Sequence, residues 1–320
     1  MKIGFAKLFK VSGTTMAEIL LRLSLFNGNY FNTGSEMRTW QTSPTNFSRT
    51  IICIETFVED GRWNFTIADE LLGSNTFYIT ILRDPVYQFE SMFNFFDLRE
   101  FYKVSSFDGF IEKLENGTLR EDRFLNIAGR NQLSFMLGLQ PESFSNETAI
   151  EEFSSYISSK FHLVMISEYF DESVILLKNL LGSPIGHMLY VPKLTRTKDS
   201  KQNLTKKQKL LVEKWLHADM RIYNNFKKNF EKLLTKQIRQ EVKILQKMNI
   251  RLRDFCRVRT IIVHEKSPLL RFGTYKLEQW RSYGSNLLCD LYIGDHQGKF
   301  YFVRQAVKNA GEVQRIFIID

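Results

Sequence analysis

Phe5-Ala6-Lys7-Leu8-Phe9-Lys10-Val11-Ser12-Gly13-Thr14-Thr15 reads as a buried strand that runs through a small-residue loop directly into an amphipathic helix. The first turn of a helix leaves backbone N–H groups without intrahelical partners. Aligned peptide dipoles add partial positive charge there, so an anion is stabilised at that spot. Lys10 contributes a full charge, Gly13 permits close approach to the backbone, and Thr14 and Thr15 offer hydroxyls and a helix cap. The nucleoside triphosphate loop requires Gly, four residues and then Gly-Lys-Ser/Thr, whereas here the lysine precedes the glycine by three. An ordinary strand-to-helix turn has the same local pattern, so this stretch decides the plan of the fold before it decides a ligand.

A second unit repeats that plan. Phe77-Tyr78-Ile79-Thr80-Ile81-Leu82 is a short β-branched and aromatic strand that stops at Arg83-Asp84-Pro85. Val86, Phe89, Phe93 and Phe96 then follow at helical spacing. Helices between strands imply a parallel sheet with functional loops at the strand C-termini. Arg83 at a strand exit can grip a phosphate with two N–H groups, and Ser91, eight residues on, can add a hydroxyl. A salt bridge from Arg83 to Asp84 or Glu90 is the competing structural role.

Working outward, residues 50–54 and 162–166 read as further buried strands. Helices are expected over 14–25, with Met16, Ile19, Leu20 and Leu23 on one face and Arg22 opposite, and over 107–114, 124–137, 150–159 and 170–181. A single long helix capped by Thr205 should run through Phe230. Residues 231–258 form a Lys- and Arg-rich helical tract whose apolar positions are sparse, favouring a helix that lies on the domain over one that binds a membrane. Beyond residue 259, strand-like runs occur at 260–263, 287–293 and 299–303. The expected architecture is therefore three-layer α/β, P-loop-like, with a central parallel sheet and a helical and irregular C-terminal extension. The division falls at 1–232 and 233–320, with the extension packed on the same domain.

Of 320 residues, 43% are hydrophobic and 14% aromatic, enough for a large core and not a disordered composition. The net charge of +9 suits an acidic ligand, although much of it can be solvated surface. No apolar run is long enough to span a membrane, and the N-terminus lacks signal-peptide anatomy. Yet five Asn-x-Ser/Thr sequons, at Asn46, Asn64, Asn116, Asn146 and Asn203, lean toward secretory exposure, and a chain that has lost an N-terminal anchor accounts for both observations. Three cysteines, Cys53, Cys256 and Cys289, allow at most one disulfide and match no zinc spacing. No dinucleotide fingerprint or Walker-type metal ligand occurs.

The stretch 5–15 with Ile19-Leu20-Leu21-Arg22-Leu23 resembles the 5′-phosphosulfate loop of the galactose 3-O-sulfotransferases. Residues 78–86 with Phe89-Glu90-Ser91-Met92-Phe93 resemble that family's 3′-phosphate segment more specifically still. Further similarity lies in Arg130-Asn131-Gln132, in 167–173, in Lys193-Leu194-Thr195-Arg196 and in 215–230, so that the resemblance runs patchily over about 3–258. It implies a sulfotransferase-type fold and transfer of a sulfuryl group from 3′-phosphoadenylyl sulfate (PAPS) to a galactose 3-hydroxyl. The implied acceptor is a galactosylceramide-like glycolipid or a glycoprotein glycan, with no metal and no nucleic-acid partner. It further implies a membrane anchor upstream of this sequence and a place on the lumenal side of the Golgi membrane.

The donor contacts so implied are Lys7, Lys10, Ser12, Gly13, Thr14, Thr15, Arg83, Ser91, Lys193 and Arg196, with Lys10 as the cation at the leaving phosphate and Asn131 as an acceptor contact. Sulfuryl transfer also needs a base for the sugar hydroxyl. Phe9 stands where the family has a histidine, and no histidine precedes His162. Glu55, just after the strand at 50–54, is the chosen base, with His162 and His187 as alternatives. Two other readings are a relative that binds nucleotide or glycan without turnover, and a P-loop kinase, which the lysine spacing disfavours.

Overall fold

The computed structural model describes residues 2–27, 30–32, 50–54, 62–73, 75–119, 129–192, 195–196, 201–266 and 274–281, together with Cys289 and Tyr292. At its centre is β1 (Lys2–Ala6), buried at four of five positions. β1 pairs in parallel with β3 (Thr50–Ile54) on one side and with β4 (Thr76–Leu82) on the other. β2 (Tyr30–Asn32) extends the sheet beyond β3, and β5 (Leu163–Ile166) extends it beyond β4. Gly4 is obligatory in this register: a Cβ there would lie 2.6 Å from Cδ1 of Tyr78, whose ring crosses the strand.

The strand order β2-β3-β1-β4-β5 means that the chain leaves β1 toward one edge, returns to β1's other side as β4, and continues to the opposite edge. Such a reversal opens a crevice at the C-terminal ends of the two strands that flank it, here β1 and β4. Helix α1 (Gly13–Phe26) packs on β2 and β3, and α2 (Phe65–Leu72) packs on β1. α8 (Phe170–Leu181) and α10 (His217–Glu231) both pack on β5. One continuous apolar core joins these layers.

Between β4 and β5 lie α3 (Pro85–Phe95), α4 (Arg99–Tyr102), α5 (Phe107–Glu115), α6 (Gln132–Leu137) and α7 (Glu147–Lys160). α3 is anchored by a second core in which Phe89, Phe93, Phe107 and Phe110 meet Trp215 from α9 (Lys206–Trp215). Phe89 lies 4.8 Å from Trp215, centroid to centroid. Truncating one such ring to alanine typically costs about 3–5 kcal/mol. After β5 the chain adds β6 (Thr195–Arg196), α11 (Lys236–Phe255), β7 (Arg259–Lys266) and β8 (Thr274–Arg281), and β6-β8-β7 form a small antiparallel sheet.

The α/β plan, its parallel sheet and the helical C-terminal region match the sequence expectation, and four local readings are corrected. Arg22 is not on a solvent face but 1% exposed: it donates to the Leu189 carbonyl, and its guanidinium lies 4.6 Å from the Tyr292 ring centroid. The helix expected over 124–137 starts at Gln132, because Asn131 takes a left-handed conformation (φ 52°) just before it; residues 124–128 lie outside the described residues. The long helix from Thr205 is two helices broken at Leu216, where Arg130 Nε donates to the Trp215 carbonyl at 2.7 Å. In the run 287–293, Cys289 and Tyr292 are helical, and residues 299–303 lie outside the described residues. A disulfide joins Cys256 at the end of α11 to Cys289, and the Tyr292 hydroxyl donates to the Gly186 carbonyl at 2.8 Å.

Candidate active site

Three strand exits converge at the crevice. Ala6 and Thr80 are opposite one another, and the Thr80 hydroxyl donates to the Ala6 carbonyl at 2.8 Å, tying the last residue of β1 to β4 two residues before β4 ends. Beyond Ala6, the loop 7–12 holds two non-glycine residues in the left-handed region, Lys10 at φ 59° and Ser12 at φ 70°. Each costs about 1 kcal/mol, a strain that persists where surrounding contacts impose it. Here the contacts are visible. Arg83 Nη1 donates to the Lys10 carbonyl at 2.9 Å, and Gln88 Nε2 donates to the Phe9 carbonyl at 2.8 Å. The second unit thus shapes the loop of the first.

Gly13 opens α1. A Cβ at that position would come 2.9 Å from Cγ of Lys7, so the glycine admits the lysine stem across the helix N-terminus. Thr14 is half-buried and Thr15 buried in the same first turn. Ser12 Oγ meets Ser167 Oγ at 2.8 Å, which brings in the exit of β5. The ammonium of Lys10 rests 3.9 Å from the centroid of Phe95.

Arg83 leaves β4 beside that loop, and Asp84 then caps α3 by accepting from the Val86 N–H at 3.0 Å. Glu168 accepts from the Asp84 N–H and from the Tyr223 hydroxyl, both at 3.0 Å, and Lys209 lies 3.4 Å from Asp84. Burial, with Glu168 beside it, raises the Tyr223 hydroxyl's pKa. Ser91 is 2% exposed. Gln88, Ser91 and Phe95 stand at i, i+3 and i+7 on one helix face, and the first and last touch Phe9 and Lys10. Ser91 therefore faces the loop.

The remaining candidates separate clearly. Asn131 is fully buried: its Oδ1 accepts from the Asp219 N–H at 3.2 Å, which ties α6 to α10. Asp219 in turn accepts from the N–H groups of Leu133 and Ser134 and from the Ser134 hydroxyl, and burial pushes its carboxyl up to about 6. Lys193 lies outside the described residues. Of Arg196 only the backbone is described, in a two-residue strand paired with β8. Glu55 also lies outside the described residues; the strand before it ends at Ile54, paired with Ala6.

His162 and His187 are placed away from the crevice. His162 stands at the opposite end of β5, accepting from the Tyr78 N–H at 3.2 Å. His187 stacks on Phe26, the last residue of α1, with centroids 4.2 Å apart. Position 9 carries no titratable group either, since the Phe9 ring packs edge-on against Phe96. Glu168, which the sequence places in a family-like segment without a site role, bridges two strand exits through contacts that span 84 and 55 residues.

A family model described as galactose-3-O-sulfotransferase matches residues 1–285. The chain belongs to the galactose-3-O-sulfotransferase family. It is 28% identical over 273 residues to galactosylceramide sulfotransferase of Bos taurus, covering 79% of this chain and 63% of that protein. It is 28% identical over 202 residues to galactose-3-O-sulfotransferase 2 of Sus scrofa, covering 61% and 51%. It is 26% identical over 302 residues to galactose-3-O-sulfotransferase 3 of Homo sapiens, covering 88% and 68%. The chain thus spans about two-thirds or less of the length of these relatives.

Proposed function

We propose that this galactose-3-O-sulfotransferase family chain transfers the sulfuryl group of PAPS to the 3-hydroxyl of a terminal galactose. The observation that carries the proposal is the bond from Arg83 to the Lys10 carbonyl, which merges two anion-ready strand exits into one site. A donor with phosphates at both ends of a ribose fits that pairing. The loop 7–12 and the first turn of α1 face the 5′-phosphosulfate through Lys7, Lys10, Ser12, Gly13, Thr14 and Thr15, while Arg83 and Ser91 hold the 3′-phosphate. Lys193 and Arg196 are assigned to the donor's phosphates by charge and resemblance.

In the transfer, the galactose O3 forms a bond to sulfur as the bond from sulfur to the bridging phosphate oxygen breaks, leaving adenosine 3′,5′-bisphosphate. Lys10 balances the charge that develops on that oxygen. The O3 proton passes to Glu55, a role supported by the exit of β3 beside β1 and by the displacement of His162 and His187 from the crevice. Asn131, wholly buried, enters as a positioning residue that holds α6 to α10.

The unit 1–232 carries this chemistry, and 233–320 is an extension packed on it through the Lys178–Glu241 ion pair between α8 and α11. The Cys256–Cys289 disulfide and the exposed sequon asparagines Asn116, Asn146 and Asn203 support a lumenal, Golgi-type setting. No described helix is long and apolar enough to cross a membrane. The proposed acceptor is a galactosylceramide-like glycolipid or a glycoprotein glycan.

The test is transfer of radiolabelled sulfate from PAPS to galactosylceramide, lactosylceramide and a galactose-terminated glycan, with the product's linkage position determined. The expected result is 3-O-sulfation, lost in Glu55→Gln. Tight binding of adenosine 3′,5′-bisphosphate without transfer to any acceptor overturns the enzyme reading in favour of a nucleotide-binding relative. Unchanged turnover in Glu55→Gln removes that residue as the base.

A further inference from the structure

Residues 232–259 hold nine Lys and Arg against two acids, a surplus of seven in a chain whose net charge is +9. Most of this tract is α11, a helix about 30 Å long. Its inner face, with Ile238, Val242, Leu245 and Leu252, is buried. The opposite face carries Lys236, Lys243, Lys247 and Arg251, all exposed, at the spacing of one continuous stripe. Glu241 is turned inward to Lys178, which leaves Asp254 as the one acid on that outer face.

Apolar side chains are interleaved with the charge. Of seven exposed large hydrophobic residues among those described, Leu233, Ile244, Ile250 and Phe255 lie on this tract, at 47, 50, 48 and 60% exposure. The sequence impression of a sparse apolar content holds for the total, but the structure turns much of it outward. A soluble polyanion would use the cations and gain nothing from Ile250 or Phe255. An anionic lipid surface uses both, since apolar side chains enter the interface while lysine stems reach back to headgroups.

Orientation supports the same occupant. Gln246 of α11 donates to Asp171 in the first turn of α8, which follows directly on the exit of β5, whereas Glu241 pairs with Lys178 in the last turn of α8. The middle of α11, with Ile244, Lys247 and Ile250 flanking Gln246, therefore lies at the crevice end of the sheet, while its last turn is tied through Cys256 and Cys289 toward Gly186. We infer that the outer face of α11 is a docking surface for an anionic lipid membrane, presenting the crevice to molecules embedded in it. The inference stands whether or not the chain transfers sulfate.

The test is co-sedimentation of the full chain with phosphatidylcholine vesicles with and without phosphatidylserine, at low and high salt. Two triple variants, Lys243→Gln/Lys247→Gln/Arg251→Gln and Ile244→Ser/Ile250→Ser/Phe255→Ser, are run beside it, with unchanged thermal melts confirming that these surface changes leave the fold intact. The expected result is binding that needs phosphatidylserine, weakens with salt, and falls at least about tenfold in each variant. Equal sedimentation with both vesicle types, or none with either, overturns the proposal. Full binding by the apolar variant also overturns it, by reducing the surface to a polyanion site, which heparin binding would then report.

Discussion

The two strand-loop-helix units that meet at the crevice, β1 with α1 and β4 with α3, share a sequence plan and handle charge in opposite ways. At the start of α3, Asp84 places its own carboxylate over the first turn and draws Lys209 to it. The positive end of that helix is already answered, so the second unit can offer an anion only side chains, Arg83 and Ser91. At the start of α1 no acid occupies the first turn, and the preceding loop is bent through two left-handed residues, Lys10 held through its carbonyl by Arg83 and Ser12 meeting Ser167, while Gln88 holds the Phe9 carbonyl. The first unit offers backbone. One unit is a rigid clamp and the other the cradle it shapes, which suits a ligand whose reactive phosphate needs surrounding donors and whose second phosphate needs a fork.

The largest effect expected from this division is on Lys10. Lys10→Ala should lower kcat about 10²–10³-fold while adenosine 3′,5′-bisphosphate still binds, measured by single-turnover transfer and product calorimetry. Retained turnover would move the charge-balancing role to Lys7 and break the contrast between the units.

A third helix start provides a control without a ligand. α6 is capped in trans by Asp219, whose folded pKa is raised from its ordinary value to about 6. Between about pH 4 and 6 the native state keeps a proton that the unfolded chain releases, so stability falls as pH rises through that window and is level above it. A shift of about two units corresponds to about 3 kcal/mol. Urea unfolding of the wild type against Asp219→Asn should show the wild type losing relative stability by that order between pH 4 and 7. A parallel pH dependence in both proteins would mean that the helix N-terminus already solvates the carboxylate.

Much of the frame was legible before the structure because it is local. The strand, loop and helix of each unit are adjacent in sequence, and Gly13 and Pro85 mark the helix starts with backbone chemistry. What could not be read depends on distant partners. Arg22 looks like a solvent residue until Leu189 and Tyr292 arrive to bury it, and the tie between Asn131 and Asp219 spans 88 residues. The break at Leu216 needs Arg130 from a segment 85 residues earlier. β8 was missed altogether, because its pairing with β6 and β7 is set by tertiary contact. Of the candidate site, Lys10 and Arg83 stand in locally patterned segments that the structure joins, whereas Glu55 lies outside the described residues and Glu168 reaches the crevice through contacts to Asp84 and Tyr223.

Arg83→Lys tests the clamp. A lysine keeps the charge and loses the fork, so the Lys10 carbonyl loses its partner and, on the proposed assignment, so does the 3′-phosphate. The donor KM should rise about 10–100-fold with a smaller change in kcat, and the preference for adenosine 3′,5′-bisphosphate over adenosine 5′-monophosphate should collapse. If Lys10→Ala and not Arg83→Lys erased that preference, the two units would have to exchange roles.

The smallest effect is the most selective. On the proposed assignment Ser91 supplies one neutral hydrogen bond from a helix whose position is fixed by Phe89 and Phe93, so Ser91→Ala should leave stability and the loop unchanged and weaken the bisphosphate by about fivefold. The same substitution should leave the 5′-monophosphate unaffected, since that ligand has nothing for the hydroxyl to hold. Equal weakening of both nucleotides would place Ser91 against the 5′ group, and the face shared with Gln88 and Phe95 would then belong to the cradle and not to the clamp.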